Sequence, residues 1–95
     1  MIKEFTINVR DHDTNDEEVL LQDYTDRTVF YIDVRRDHQH CWRKIFALSN
    51  GYTNQFAVTI TEGFGEDEII HVRIFDEFEY ALEEFFCCEC SECYT

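Results

Sequence analysis

From its first residues the chain alternates. Phe5, Ile7 and Val9 fall on one side and Glu4, Thr6, Asn8 and Arg10 on the other, which predicts a half-buried strand over 2–10. Residues 28–36 repeat the pattern, with Phe30, Ile32 and Val34 opposed by Tyr31, Asp33 and Arg35. Two further strands flank Ser49-Asn50-Gly51: 41–48 with Trp42, Phe46 and Leu48 inward, and 53–61 with Phe56, Val58 and Ile60 inward. A two-residue Asn-Gly turn would put these two apolar sets on opposite faces. A three-residue loop with Gly51 in the left-handed region pairs Leu48 with Tyr52, Phe46 with Asn54 and Trp42 with Val58, and all the apolar residues then share a face; that loop is the expectation. Residues 69–75 read as a fifth strand with Ile70, Val72 and Ile74 inward.

The period then changes. Asp76 and Glu79 form a D-x-x-E capping pair, and Phe78, Ala81, Leu82, Phe85 and Phe86 make an apolar stripe at helical spacing, predicting a helix over about 76–88 across the buried face of the sheet. Glu77, Glu79, Glu83 and Glu84 flank Tyr80 on its outer side. Residues 11–27 fit either a short helix within 14–24, capped by Thr14 with Glu17, or an irregular connection. With no proline, linker, repeat or break in composition, the expected architecture is one α+β domain over 1–95. It is an antiparallel meander of about five strands with one C-terminal helix packed on one face, and residues 89–95 form a flexible cysteine-rich tail.

Composition adds a direction. The 95 residues are 44% hydrophobic and 16% aromatic, enough bulk for a real core, so the chain is globular and not a disordered acidic tail. Its formal charge of −13 opposes direct contact with nucleic acid or an anionic membrane and favours a basic protein surface. The N-terminal MIKEFTINVRDHD lacks an apolar h-region, and no apolar run approaches the ~20 residues of a membrane helix, so a cytoplasmic location with reduced cysteines is expected.

The acids fall in runs. Asp11, Asp13, Asp16, Glu17, Glu18, Asp23 and Asp26 form one, Glu62, Glu66, Asp67 and Glu68 a second, and the helix with its tail a third. Carboxylates about 6 Å apart on a strand or helix can imitate a line of phosphates to a basic groove. In size, charge and layout the chain resembles the small acidic phage-type proteins that block CRISPR or restriction enzymes. The resemblance implies a non-enzymatic, DNA-mimic-like inhibitor that occupies the basic surface of a nucleic-acid-binding enzyme. The expected contact residues are Glu77, Glu79, Tyr80, Glu83, Glu84, Asp16, Glu17, Glu18, Phe64, Glu66 and Asp67, with Tyr80 and Phe64 as aromatic anchors. Surface acids that only keep a small protein soluble are the bland counterpart.

Two other features carry chemistry. Cys87, Cys90 and Cys93 stand at ligand-like spacings and could share a zinc ion, but a closed site needs a fourth ligand such as Cys41 or a histidine; otherwise no cofactor is expected. Arg35, Arg36, Arg43 and Lys44 make a basic hairpin on an acidic body, read as a solvated turn, or as a contact in a homodimer. Gly63 and Gly65 lack the rest of a phosphate-binding fingerprint, and Ser49 and Ser91 have no activating context, so no catalytic residue is expected. A metal- or thiol-dependent module and a structural or oligomeric accessory protein remain the alternatives.

Overall fold

Ser49 pairs with Asn54, and the four residues between them close the central hairpin. The Asn50 side chain accepts the main-chain N–H groups of Tyr52 (2.9 Å) and Thr53 (2.8 Å). Gly51 takes a positive φ of 92°. This Asx-type turn moves the register three residues from the expected one, so that Leu48 faces Gln55, Phe46 faces Ala57 and Ile45 faces Val58. An odd shift exchanges the faces of one whole strand. Phe46 and Leu48 therefore lie on one side of the sheet and Phe56, Val58 and Ile60 on the other.

The computed structural model describes residues 3–38, 41–63 and 67–86, with the backbone alone for 36–38 and 41. Strand β1 (Lys3–Asn8) leads through a 3-10 turn, Val9–Asp11, to helix α1 (Glu17–Thr25). Four strands follow, β2 (Thr28–His38), β3 (Cys41–Ser49), β4 (Asn54–Glu62) and β5 (Ile69–Phe75), and then helix α2 (Phe78–Phe86). The sheet is antiparallel throughout, in the order β1-β5-β4-β3-β2. The meander runs from β2 to β5, and β1 adds beside β5. This is the expected α+β architecture, with α2 on one face.

The shifted hairpin divides the core in two. Ile7, Val9, Phe46, Leu48, Ala57, Ile70, Val72 and Ile74 pack with Leu20 and Leu21 of α1 on one face. Ile45, Val58 and Phe75 pack with Ala81 and Phe85 of α2 on the other. The helix α2 thus covers the face opposite Ile70, Val72 and Ile74, not the face they occupy. The apolar cluster under α2 extends to Leu82 and to Phe56, whose ring lies 5.0 Å from that of Phe78.

The segment 11–27 resolves in favour of the helix. Its N-cap is Asp16, whose Oδ1 accepts the N–H groups of Glu18 and Val19, while Thr14 accepts the N–H of Asp16 itself. Asp26 ends α1 in the left-handed region at φ 55°.

Strand β2 departs from its alternation. Ile32 bulges, so that Tyr31 pairs with Phe46 and Asp33 with Ile45. Phe30, Ile32 and Val34 are consequently not one inward set: Phe30 and Val34 point to opposite faces, and all three are exposed.

Candidate binding surface

Most of the chain's described cations are used internally. Arg43 alternates with Ile45 and Ala47 on the α2 face and is 1% exposed. Its Nη1 donates to the main-chain oxygen of Glu84 at 2.7 Å, and Arg35 Nη1 donates to that of Phe85 at 3.2 Å. Two guanidinium groups from β2 and β3 therefore cap the C-terminal end of α2, which has no basic residue in its own last turn. Arg73 of β5 bridges Glu4 of β1 (3.0 Å) and Glu84 of α2 (2.7 Å). The basic hairpin is thus no solvated turn at Arg35 and Arg43, which fasten a helix to the sheet.

On the other face Glu17, the first residue of α1, is buried. Its carboxylate accepts the hydroxyls of Thr59 (3.2 Å) and Thr61 and lies 3.5 Å from the ammonium of Lys44. Two β4 threonines and one β3 lysine supply the donors that a buried carboxylate requires. Glu68 stands nearby: partial burial pushes its carboxyl pKa above the usual glutamate value, repulsion from Glu17 adds to the rise, and Lys44 opposes it. The main-chain oxygen of Glu68 accepts the Val9 N–H at 3.1 Å, joining the β4–β5 loop to the start of the acidic connection.

Two of the acids expected to meet a partner are therefore withdrawn from solvent. Glu17 is held by Thr59, Thr61 and Lys44, and the Glu84 side chain, 11% exposed, is turned in toward Arg73. Glu77, Glu79, Tyr80 and Glu83 are exposed on the outer side of α2, as their spacing suggests. Asp16, Glu18 and Asp23 are exposed at or on α1, which packs on the opposite face of the sheet, and Asp11, Asp13, Asp26 and Asp67 are exposed in turns and loops. The outward acids of the two helices thus lie on surfaces separated by the sheet. Phe64, Glu66, Cys87, Cys90 and Cys93 lie outside the described residues, as does the 89–95 tail.

Asp76 precedes α2 and accepts a 2.8 Å hydrogen bond from the Gln55 amide, the main cause of its lowered carboxyl pKa. Beside α2 a groove of about 510 Å³ opens, lined by Glu84 of that helix and by Glu4, Thr6, Ile60, His71 and Arg73 of the sheet among others. Within it Arg73 pairs with Glu4, and the His71 ring lies 3.6 Å from the Glu62 carboxylate. Among the described residues no three histidine, cysteine or acidic side chains are grouped to hold a metal ion, and no helix is long and apolar enough to cross a membrane.

The inward turn of Arg43 was open to sequence reasoning. Arg43, Ile45 and Ala47 form the second alternating set of β3, and a strand buried on both faces makes both sets inward. No protein-family model, curated protein or solved structure matches the chain.

Proposed function

We propose that the protein is a non-enzymatic acidic binding protein that works in the cytoplasm and inhibits a defence or DNA-processing protein by occupying its basic, nucleic-acid-binding surface. The supporting observation is the internal use of the cations: Arg35, Arg43, Arg73 and Lys44 each bind a carbonyl or carboxylate of the same chain. With four of its eight basic residues engaged within the chain, the excess of acids is displayed outward beside few exposed cations, Lys3 and Arg10 among them. Glu79 and Glu83, one helical turn apart at about 6 Å, flank Tyr80 on a rigid helix fastened at its C-terminal end. The acids supply steering and specificity, and Tyr80, 55% exposed, supplies the apolar anchor that charge alone lacks.

Because the sheet separates the two acidic surfaces, one partner groove meets one of them. The α2 face, with Glu77, Glu79, Tyr80 and Glu83, is the one proposed. Affinity capture from a host lysate at low and high salt, with and without competing duplex DNA, tests the proposal. Recovery of a DNA-binding enzyme that both salt and DNA displace is the expected result. Binding indifferent to both would overturn it.

A further inference from the structure

We propose that the outer edge of β2 is a self-complementary docking strand, through which a second copy of this chain pairs antiparallel about a twofold axis. The two edges of the sheet differ in kind. β1 has six residues, and Lys3, Glu4, Thr6 and Asn8 are exposed along it, a polar edge that discourages pairing. β2 has eleven residues and pairs only with β3 among the described residues, so no strand lies along its other side, and the Val34 N–H is held by the carboxylate of its neighbour Asp33 at 2.8 Å. Four apolar side chains stand exposed on it: Phe30 (54%), Tyr31 (48%), Ile32 (41%) and Val34 (37%). It carries neither lysine nor proline, the usual guards of an edge.

The charge pattern selects a second copy as the occupant. In a chain of formal charge −13, β2 carries two aspartates, Asp33 and Asp37, against two arginines, Arg35 and Arg36, and is formally neutral. A basic partner would be drawn to the acidic helices; a neutral strand with alternating Asp33 and Arg35 is complementary to itself. Antiparallel pairing about Val34 sets Asp33 of each copy opposite Arg35 of the other, twice, as a twofold axis requires, and the Asp33 carboxylate then exchanges the Val34 N–H it accepts within the chain for the facing guanidinium. Both residues lie on the α2 face, and the hydrogen bond from Arg35 to Phe85 holds the guanidinium near that position.

The acidic bodies set the conditions. With a radius of gyration of 13.0 Å, two copies side by side hold their centres beyond two Debye lengths at physiological salt, where that length is about 8 Å. At ~0.01 M salt the length is about 30 Å and the bodies repel. Self-association therefore strengthens with salt, opposite to the salt response of acids binding a basic partner. This inference does not rest on the proposed function, and the two can fail separately.

Sedimentation of the reduced protein over a concentration series, at about 0.01 M and about 0.5 M salt, reads the association. The expected result is a dimer whose dissociation constant falls at least about tenfold at high salt, and an Ile32→Lys variant that stays monomeric with an unchanged melting temperature. Should that variant unfold, hydrogen exchange of the unaltered protein decides: the amides of 28–38 exchange more slowly at high protein concentration, and those of β1 do not. A monomer under every condition, a dimer favoured at low salt, a folded Ile32→Lys variant that still dimerises, or protection absent from 28–38 would each overturn the proposal.

Discussion

Arg43 reaches from β3 to the main-chain oxygen of Glu84, 41 residues further along, at 2.7 Å, and is almost wholly buried in doing so. The guanidinium completes α2 where its carbonyls run out and holds the helix over Ile45, Val58 and Phe75. Arg43→Ala removes a charge-assisted hydrogen bond and leaves the carbonyl without that donor, and should cost about 2–4 kcal/mol in urea unfolding. Arg43→Lys keeps the charge without the fork of donors and should cost about half as much.

At the other helix, Asp16 caps α1 through Oδ1. Asp16→Ala should lower stability by about 1 kcal/mol, and Asp16→Asn by no more than a few tenths. Thr14→Ala should leave α1 in place, since Thr14 contacts the N–H of Asp16 and not the helix. Thermal melts followed by circular dichroism separate the three.

Two glycines share a φ of 92° but not a setting. A Cβ on Gly51 would meet nothing within 4 Å, whereas on Gly63 it would fall 2.6 Å from the main-chain oxygen of Asp67. Gly51→Ala should therefore cost about 1 kcal/mol from backbone strain alone. Gly63→Ala adds a clash with backbone and should cost more than about 2 kcal/mol, measured by the same unfolding experiment.

Glu68 makes stability depend on pH in an uncommon direction. Its folded carboxyl binds a proton more tightly than the unfolded one, so this group weakens the fold as pH rises above the ordinary glutamate range and ceases to do so as pH falls. Glu68→Gln should flatten that part of the stability profile. In a carbon-detected titration the Glu68 value should fall only partway toward normal in Glu17→Gln, because burial is the larger cause, and should rise in Lys44→Met. Asp76 acts in the opposite sense: its lowered pKa contributes stability at neutral pH that is lost as pH falls through the folded value.

The elements themselves were legible in the sequence, because alternation over β1 and β5 and the helical stripe of α2 are one-dimensional signals. The partition of the core was not. It turned on the loop after Ser49, where Asn50 accepts two main-chain N–H groups and closes four residues instead of three. A loop that gathers every apolar residue on one face leaves the other bare, whereas in the fold both faces are covered. The bulge at Ile32 was hidden for a similar reason, since Phe30, Ile32 and Val34 alternate perfectly in sequence while the backbone does not. For the candidate binding surface, spacing identifies Glu77, Glu79 and Glu83 as outward, but the inward turn of Glu17 and Glu84 depends on threonine and arginine partners more than ten residues distant.

The proposed function requires that carboxylates of α2 be read by a basic surface. The direct measurement is the salt dependence of affinity between the captured partner and the protein, with and without Glu77→Gln, Glu79→Gln and Glu83→Gln together. These side chains are exposed and have no ion pair among the described residues, so the melting temperature should hold while affinity falls at least about tenfold and its slope against salt becomes shallower. A folded triple variant with unchanged affinity and unchanged slope would contradict the account.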